Sequence, residues 1–274
     1  MIDQVTLKKL TDFSTQIRVQ TIRQIGVRGF GHIGGSMSIV ELLSVLYGME
    51  MRYDPQNPSW DNRDWLICSK GHAGPAVYAA LALKGFFPMD WMDTLNQPNT
   101  HLPSHCDRKK TPGIDMTTGS LGQGLSIACG IALGHSMDKK DNMTYCIIGD
   151  GESQEGQIWE AVLFAAQKRL DNLILFVDDN KAQLDDYTSN IENMQSYVEK
   201  FKSFNWDAAA VDGHDMSQIQ CAIARAKGIK GVPSAIILNT VKGKGCTFAE
   251  RQWNHHINVT AEEMDEAIRA LQNQ

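Results

Sequence analysis

Leu173-Ile-Leu-Phe-Val177 is a run of five apolar side chains, all branched or aromatic, with no polar residue to turn toward water. A strand of that kind is buried on both faces, as in a sheet with helices packed on each side. It sits in a regular rhythm that begins at residue 117. A glycine turn, Thr117-Thr-Gly-Ser-Leu-Gly-Gln-Gly124, leads into a small-residue helix ending near His135. Tyr145–Ile148 reads as a strand, 153–170 as a helix, and Ala208–Val211 and Ala235–Leu238 as further strands, with helices near 190–203, 215–227 and 260–272. Strand and helix alternate, with polar or glycine turns at the strand ends. The pattern predicts an α/β fold with a doubly wound, mostly parallel sheet, whose ligands sit beyond the carboxyl ends of the strands.

The first hundred residues are less regular. Apolar positions at helical spacing from Val5 to Ile25 predict an amphipathic helix over 4–28. A glycine cluster, Gly29-Phe-Gly-His-Ile-Gly-Gly-Ser36, is expected to interrupt regular helix, and a second helical run covers Ile39–Tyr47. Asp64–His72 is a short apolar run broken by Gly71, and an Ala/Leu-rich helix follows to about Leu83. Residues 86–115 read as a long excursion, a feature that in compact domains is functional or disordered. With no internal repeat, low-complexity tract or linker, 1–274 is expected to be one domain.

Composition removes several classes of function. A formal charge of −6 without a long basic run argues against capture of nucleic acid or of an anionic membrane. No stretch approaches the roughly 20 apolar residues that span a bilayer, and the polar N-terminus lacks a signal-peptide core. The six cysteines are scattered, without CxxC or metal-finger spacing, so free thiols in a reducing, cytoplasmic setting are expected.

The chemistry is concentrated at Gly149-Asp150-Gly151. An acidic residue directly after an apolar strand stands at the mouth of the sheet, and its glycines permit a tight turn and close approach by a ligand. A helix starting near Ser153 is expected to point free N–H groups at the same mouth, a ready anion site. The next strand ends in Asp178-Asp-Asn180, so Asp150 and Asn180 are expected to share one hard cation, with the Ala182 carbonyl as a third ligand. Magnesium takes few protein oxygens and completes its octahedron with water and phosphate. The ensemble reads as a magnesium-diphosphate clamp. Gly-Asp-Gly alone is common in turns; the second strand ending in Asn180 makes the signal far more specific. A P-loop is excluded on spacing, and GDGESQEG places its third glycine too late for a dinucleotide fingerprint.

The chain resembles the N-terminal third to half of a transketolase, nearly end to end. The motifs are Gly31-His32-Ile-Gly-Gly35, Ser69-Lys70-Gly71-His72, Thr117–Gly124, Gly149-Asp-Gly151 with Gln154-Glu-Gly156, Asp178-Asp-Asn180 and Thr240-Val-Lys-Gly-Lys-Gly245. The resemblance implies a thiamine diphosphate-binding fold, with magnesium on Asp150, Asn180 and the Ala182 carbonyl. It implies that Gly151, Lys242 and His72 lie near the diphosphate. Gly119 and Leu121 would touch the aminopyrimidine through their backbones, and Leu184 would pack on the thiazolium. His32 and His72 would hydrogen-bond the reacting sugar oxygens and shuttle protons. His105 is the nearest match to a third family histidine, although Cys106–Gly113 departs from the usual short segment. For a fourth, ungapped counting selects His256 and proximity to Trp253 selects His255. His101, His135 and His214 read as surface or hydrogen-bonded structural residues. Glu155 and Glu160 either favour the dipole of the helix they begin or, as the resemblance implies, face a subunit boundary. Asp186 stands where relatives often have glycine.

The family's reaction moves a two-carbon ketol unit from a ketose, usually a sugar phosphate, to an aldose, and needs a pyrimidine-binding domain that does not follow in this sequence. A split enzyme is therefore expected, with a complementary C-terminal subunit, in a heterotetramer. Two other readings stay open. One is a related thiamine enzyme, deoxyxylulose-phosphate synthase-like or the cofactor subunit of a 2-oxoacid dehydrogenase; the other is a non-catalytic thiamine diphosphate-binding module.

Overall fold

A computed structural model describes residues 2–250 and 255–273. Trp253 and Asn254, beside the two candidate histidines, lie outside the described residues. The chain opens with helix α1 (Gln4–Arg28), started by the Asp3 carboxylate on the Thr6 N–H at 2.9 Å and ended by Gly29 at φ +86°. Strand β1 (Phe30–Gly31), α2 (Ile33–Met37) and α3 (Val40–Val45) follow, with one turn of π-helix over Leu46–Glu50. The expected interruption at the glycine cluster is thus only partial. Gly34 and Gly35 are buried inside a helical turn, where tertiary packing outweighs their poor helix propensity.

Next come β2 (Trp65–Cys68), α4 (Gly74–Leu83), the excursion, α5 (Gln123–Met137), β3 (Thr144–Gly149), α6 (Gly156–Lys168) and β4 (Leu173–Asp179). The last third holds α7 (Thr188–Ile191), α8 (Tyr197–Ser203), β5 (Asp207–Asp212), α9 (Met216–Gly228), β6 (Ser234–Asn239), β7 (Ile257–Asn258) and α10 (Ala261–Gln272). Two boundaries differ from expectation. The helix expected from Ser153 begins three residues later, after a 3₁₀ turn over Glu152–Gln154. The helix expected over 190–203 is two short helices, separated where Gln195 takes φ +57°.

The main sheet has the order β2-β3-β4-β6-β5, with every pairing parallel. From β3 to β5 the crossover helices α6 and α8 lie on one face. The return from β5 to β6 runs through α9 on the other face, as crossovers of one hand require when the strand order reverses. Side-chain alternation divides the core accordingly. Tyr145, Ile147, Ile174, Phe176, Ile236 and Leu238 pack with α1, α3, α4 and α9, while Cys146, Ile148, Leu175, Val177 and Ile237 pack with α5, α6 and α8. The continuous apolar run in β4 follows from this double coverage, since all seven of its residues are buried. Separately, β1 pairs antiparallel with β7, Phe30 opposite Asn258 and Gly31 opposite Ile257, a ribbon the sequence did not suggest. No described helix is long and apolar enough to cross a membrane, and all six cysteines are free.

Phe176 is fully buried at mid-sheet, its ring 6.3 Å from that of Tyr145. Phe176→Ala is expected to lower unfolding stability by about 3–5 kcal/mol, read as a fall in the urea midpoint at unchanged slope.

Candidate active site

Parallel strands in register bring their carboxyl ends to one edge. Gly149 at the end of β3 lies opposite Asp178 in β4, which in turn lies opposite Leu238 in β6. Asp178 is fully buried, and four elements converge on it. The Lys70 ammonium, itself 1% exposed, pairs with it; the Ser38 hydroxyl donates at 2.7 Å, the Asn180 amide at 2.8 Å and the Thr240 hydroxyl at 2.5 Å. Burial alone would raise its pKa, but the charge and hydrogen bond of Lys70 and the two hydroxyls outweigh that and hold it below the ordinary carboxylate value.

Asp150 is the contrasting case. It is 2% exposed, and its Oδ1 accepts the Gly151 N–H at 2.8 Å. Its buried Oδ2 has no hydrogen-bond partner among the described residues. Burial, then the negative charges of Asp178 and Asp179, push its carboxyl up to about 6 against the Gly151 hydrogen bond and the nearby Thr188 hydroxyl, which does not reach hydrogen-bonding geometry with Oδ2. A buried carboxylate oxygen left unsatisfied calls for a cation.

Asp150, Asn180 and Ala182 line the same cavity, of about 440 Å³, so the three expected metal ligands are brought together. The Asn180 amide is oriented, because its nitrogen faces Asp178 and its oxygen accepts the Ala182 N–H at 3.2 Å. Among the described residues there is no cluster of three or more His, Cys, Asp or Glu side chains suited to a metal. One carboxylate, one amide oxygen and one carbonyl form a different donor set, of the hard oxygen type that magnesium accepts. The Ala182 carbonyl is here held by the Lys242 ammonium at 2.9 Å, with the Gln183 carbonyl at 3.1 Å. Burial, then repulsion from Lys70, lower the Lys242 pKa to about 8 against the attraction of Asp150 and Asp178. A Cβ on Gly151 would meet the Gln183 side chain at 2.9 Å, so glycine keeps the cavity floor open. The residues present fit a magnesium-diphosphate group.

The helix N-terminus expected at Ser153 lies instead at Gly156. In the turn before it the Gly151 N–H donates to Asp150 and the Gly149 N–H to Glu152 at 3.2 Å, while those of Ser153, Gln154 and Glu155 donate to backbone carbonyls. Glu152, which no sequence motif singles out, also accepts the Gly122 N–H at 3.0 Å and the Ser69 hydroxyl. Burial raises its pKa. It joins the three motif loops after β2, before α5 and after β3. Lys70 and Asp178 are visible in the sequence only as the flanks of motifs. Their pairing spans 108 positions, and no local pattern announces it.

The histidines gather around His32. Its ring lies 5.4 Å from those of His72, His105 and His255, and 4.6 Å from that of His256. Both candidates for the fourth histidine are therefore present. His255 lines the main cavity and lies 3.5 Å from the Lys242 ammonium, whereas His256 packs against Phe30 at 5.5 Å. Burial, reinforced by the neighbouring rings, lowers His32 to about 3. Burial and the nearby lysines lower His255 to about 4 and His72 well below its ordinary value, and burial alone lowers His105. These four imidazoles are neutral at pH 7, each with one donor and one acceptor nitrogen. His101 stacks on Trp91 at 4.1 Å, and His135 is buried beside Trp65.

The remaining expected contacts divide. Leu121 (37% exposed), Leu184 (57% exposed) and Glu155 line the cavity. Gly119, at φ +133°, instead abuts His105, where a Cβ would meet the ring at 2.8 Å. Glu160 is exposed on α6, away from the cavity lining. Asp186 closes a hairpin beyond Asn180: its carbonyl accepts the Gln183 N–H at 3.1 Å and its carboxylate the Tyr187 N–H at 2.7 Å. It has no positive φ, so the loop under Leu184 does not require glycine there.

The family model described as the transketolase thiamine diphosphate binding domain matches residues 10–273. A 6-deoxy-6-sulfo-D-fructose transketolase subunit from Clostridium sp. (strain MSTE9) is 52% identical over 259 residues, covering 94% of this chain and 94% of that protein. An apulose-4-phosphate transketolase subunit from Phocaeicola vulgatus is 37% identical, covering 88% and 86%. Human transketolase is 36% identical over 97% of this chain but only 42% of its own length. A crystal structure of a transketolase mutant from Pichia stipitis superposes with a TM-score of 0.90 at 28% identity, covering 96% of this chain and 40% of that one. The chain spans nearly all of the two subunit relatives and about two fifths of the longer transketolases. These likenesses favour the transketolase reading over the other thiamine enzymes and over a non-catalytic module.

Asp150 is held in the folded state at a cost, because its carboxyl binds a proton more readily there than in the unfolded chain. The wild type therefore loses stability as pH rises from about 3.8 through about 6, and the penalty persists at higher pH. In metal-free protein at pH 7, Asp150→Asn is expected to be the more stable by on the order of 2 kcal/mol, with the difference closing near pH 4, as measured by urea unfolding across pH. The same variant is expected to lose magnesium-dependent stabilisation.

Proposed function

The chain belongs to the transketolase family, and on that premise we propose that it is the diphosphate-binding subunit of a split transketolase, moving a two-carbon ketol unit from a ketose donor to an aldose acceptor. The observation that carries this reading is the set of neutral histidines at the edge of a cavity holding an unsatisfied buried carboxylate. Thiamine diphosphate, when bound, supplies the electron sink that lets a carbon–carbon bond beside a carbonyl break. Asp150, Asn180 and the Ala182 carbonyl would hold its magnesium, with Lys242, Gly151 and His72 beside its diphosphate.

The protein's own work is orientation and proton handling. A neutral imidazole donates to an oxygen that gains negative charge and accepts the proton of a hydroxyl that loses it. His32, His72 and His105 take this role toward the sugar oxygens, with His255 or His256 as the fourth. Fixed by packing against one another, the rings need little reorganisation when charge develops. Leu121, Leu184 and Ile191 leave apolar surface exposed around the cavity. That surface, with Glu155 at the rim, suits cover by the complementary subunit, which we take to bring the pyrimidine-binding domain and to complete a heterotetramer through Glu155 and Glu160. Residues 1–274 then act as one diphosphate-binding domain in the cytoplasm. By analogy with the Clostridium relative, 6-deoxy-6-sulfo-D-fructose is the first donor to try, with a ketose phosphate for comparison.

The test is reconstitution with the complementary subunit. Ketol transfer to an aldose phosphate is expected from the pair, absent from either chain alone, lost with EDTA and restored by magnesium. In the pair, His72→Ala is expected to lower kcat by roughly 10²–10⁴-fold. Robust turnover by the single chain, or release of CO2 from pyruvate in place of ketol transfer, would overturn the reading.

A further inference from the structure

A buried polar chain unrelated to the histidine cluster ends on the loop that carries Lys242. Arg18, in α1, places Nη2 2.5 Å from Oε1 of Glu41 in α3, and both side chains are about nine-tenths buried. The other Glu41 oxygen lies 3.0 Å from Nδ1 of His214, in the turn between β5 and α9. His214 Nε2 in turn accepts the Val241 N–H at 2.8 Å. A main-chain N–H only donates, so Nε2 carries no proton; the neutral ring then has its proton on Nδ1 and donates to Glu41. Burial would raise the Glu41 pKa, but the His214 hydrogen bond and the Arg18 charge together hold it below its ordinary value, so the acceptor is a carboxylate. Arg18 also donates from Nε to the Lys244 carbonyl at 3.1 Å. The network therefore grips the loop at Val241 and at Lys244, on either side of Lys242.

The backbone around it is shaped for this contact. A Cβ on Gly213 would meet Thr240 Cγ2 at 2.4 Å, so glycine lets the His214 turn lie against the end of β6. A Cβ on Gly245 would meet Arg18 Nε at 2.7 Å. The His214 N–H is fixed on the Asp212 carboxylate at 2.8 Å.

The geometry points to His214 as a positioning residue for Lys242, setting the 241–244 loop so that the Lys242 ammonium stands at the diphosphate end of the cavity. The inference rests on the proposed role of Lys242 toward the diphosphate. A histidine with only a packing role would not make cofactor affinity depend on which of its two nitrogens is replaced.

Asparagine and glutamine separate the nitrogens. In His214→Asn the amide can reach Glu41 but not Val241; in His214→Gln its oxygen can reach Val241. In the complex with the complementary subunit, calorimetry with thiamine diphosphate and magnesium is expected to show Kd about tenfold weaker for His214→Asn and within about twofold of wild type for His214→Gln. Lys242→Ala is expected to be at least as weak as His214→Asn, and the double variant His214→Asn/Lys242→Ala no weaker than Lys242→Ala alone. In the chain by itself, ¹⁵N-histidine spectra at neutral pH are expected to show the Nδ1–H tautomer at His214. Should His214→Asn fail to fold, Glu41→Gln, which keeps an acceptor but loosens the hold on Arg18, is read the same way. Wild-type affinity in His214→Asn with weak binding in Lys242→Ala would overturn the positioning role, as would fully additive losses or an Nε2–H tautomer. Wild-type affinity in Lys242→Ala would instead sink the diphosphate role of Lys242.

Discussion

The carboxylate of Asp178, buried against the ammonium of Lys70, is the contact around which the strand ends are arranged. One side chain from β4 is gripped from the loop after β2, from the α2–α3 junction, from the end of β6 and from Asn180 two residues on. A buried pair of this kind contributes little net stability, because removing two charges from water costs about as much as their attraction returns. What it supplies is position. Lys70 and Asn180 themselves line the cavity, and Ser38 and Thr240 lie a few residues from Gly35 and Lys242, which also line it, so satisfying Asp178 helps to place all four. Its charge also acts on Asp150, adding to burial in pushing that carboxyl up to about 6.

The electrostatics of the two halves of the site are thus opposed. On the sheet edge, acidic and basic groups are packed closely, and one carboxylate oxygen is left for a guest. Beside it, burial keeps His32, His72, His105 and His255 uncharged at neutral pH, helped at His72 and His255 by the nearby lysines. A site prepared in this way can hold a polyanion at one end and handle neutral hydroxyl and carbonyl groups at the other. The separation follows from where Lys70 and Lys242 stand, between the carboxylates and the rings.

Much of this was legible in the sequence, for physical reasons. Strands covered on both faces cannot hide their composition, so β3, β4 and β6 were read within two residues of their ends. Gly-Asp-Gly and Asp-Asp-Asn mark the strand tips because a ligand-bearing turn needs those residue types, and glycine-flanked His32 and His72 stand out for the same reason. The start of α6 is not legible in the sequence, because Glu152 draws the preceding turn onto Ser69 and Gly122 through contacts set by tertiary structure alone. Glu41 and His214 are 173 positions apart, and each looks like an ordinary polar residue on its own helix or turn. The β1–β7 ribbon is only two residues long on each side, too short for any periodic signal.

That ribbon has a bearing on how the molecule is made. His32 directly follows one of its strands and His256 directly precedes the other, so the two rings are carried by partners from near opposite ends of the polypeptide. During synthesis the parallel sheet can form as its strands emerge, but the ribbon waits until residue 258 has left the ribosome. His255 and His256 are therefore the last rings of the cluster to be placed, and a nascent chain that already carries His32, His72 and His105 has yet to gain them.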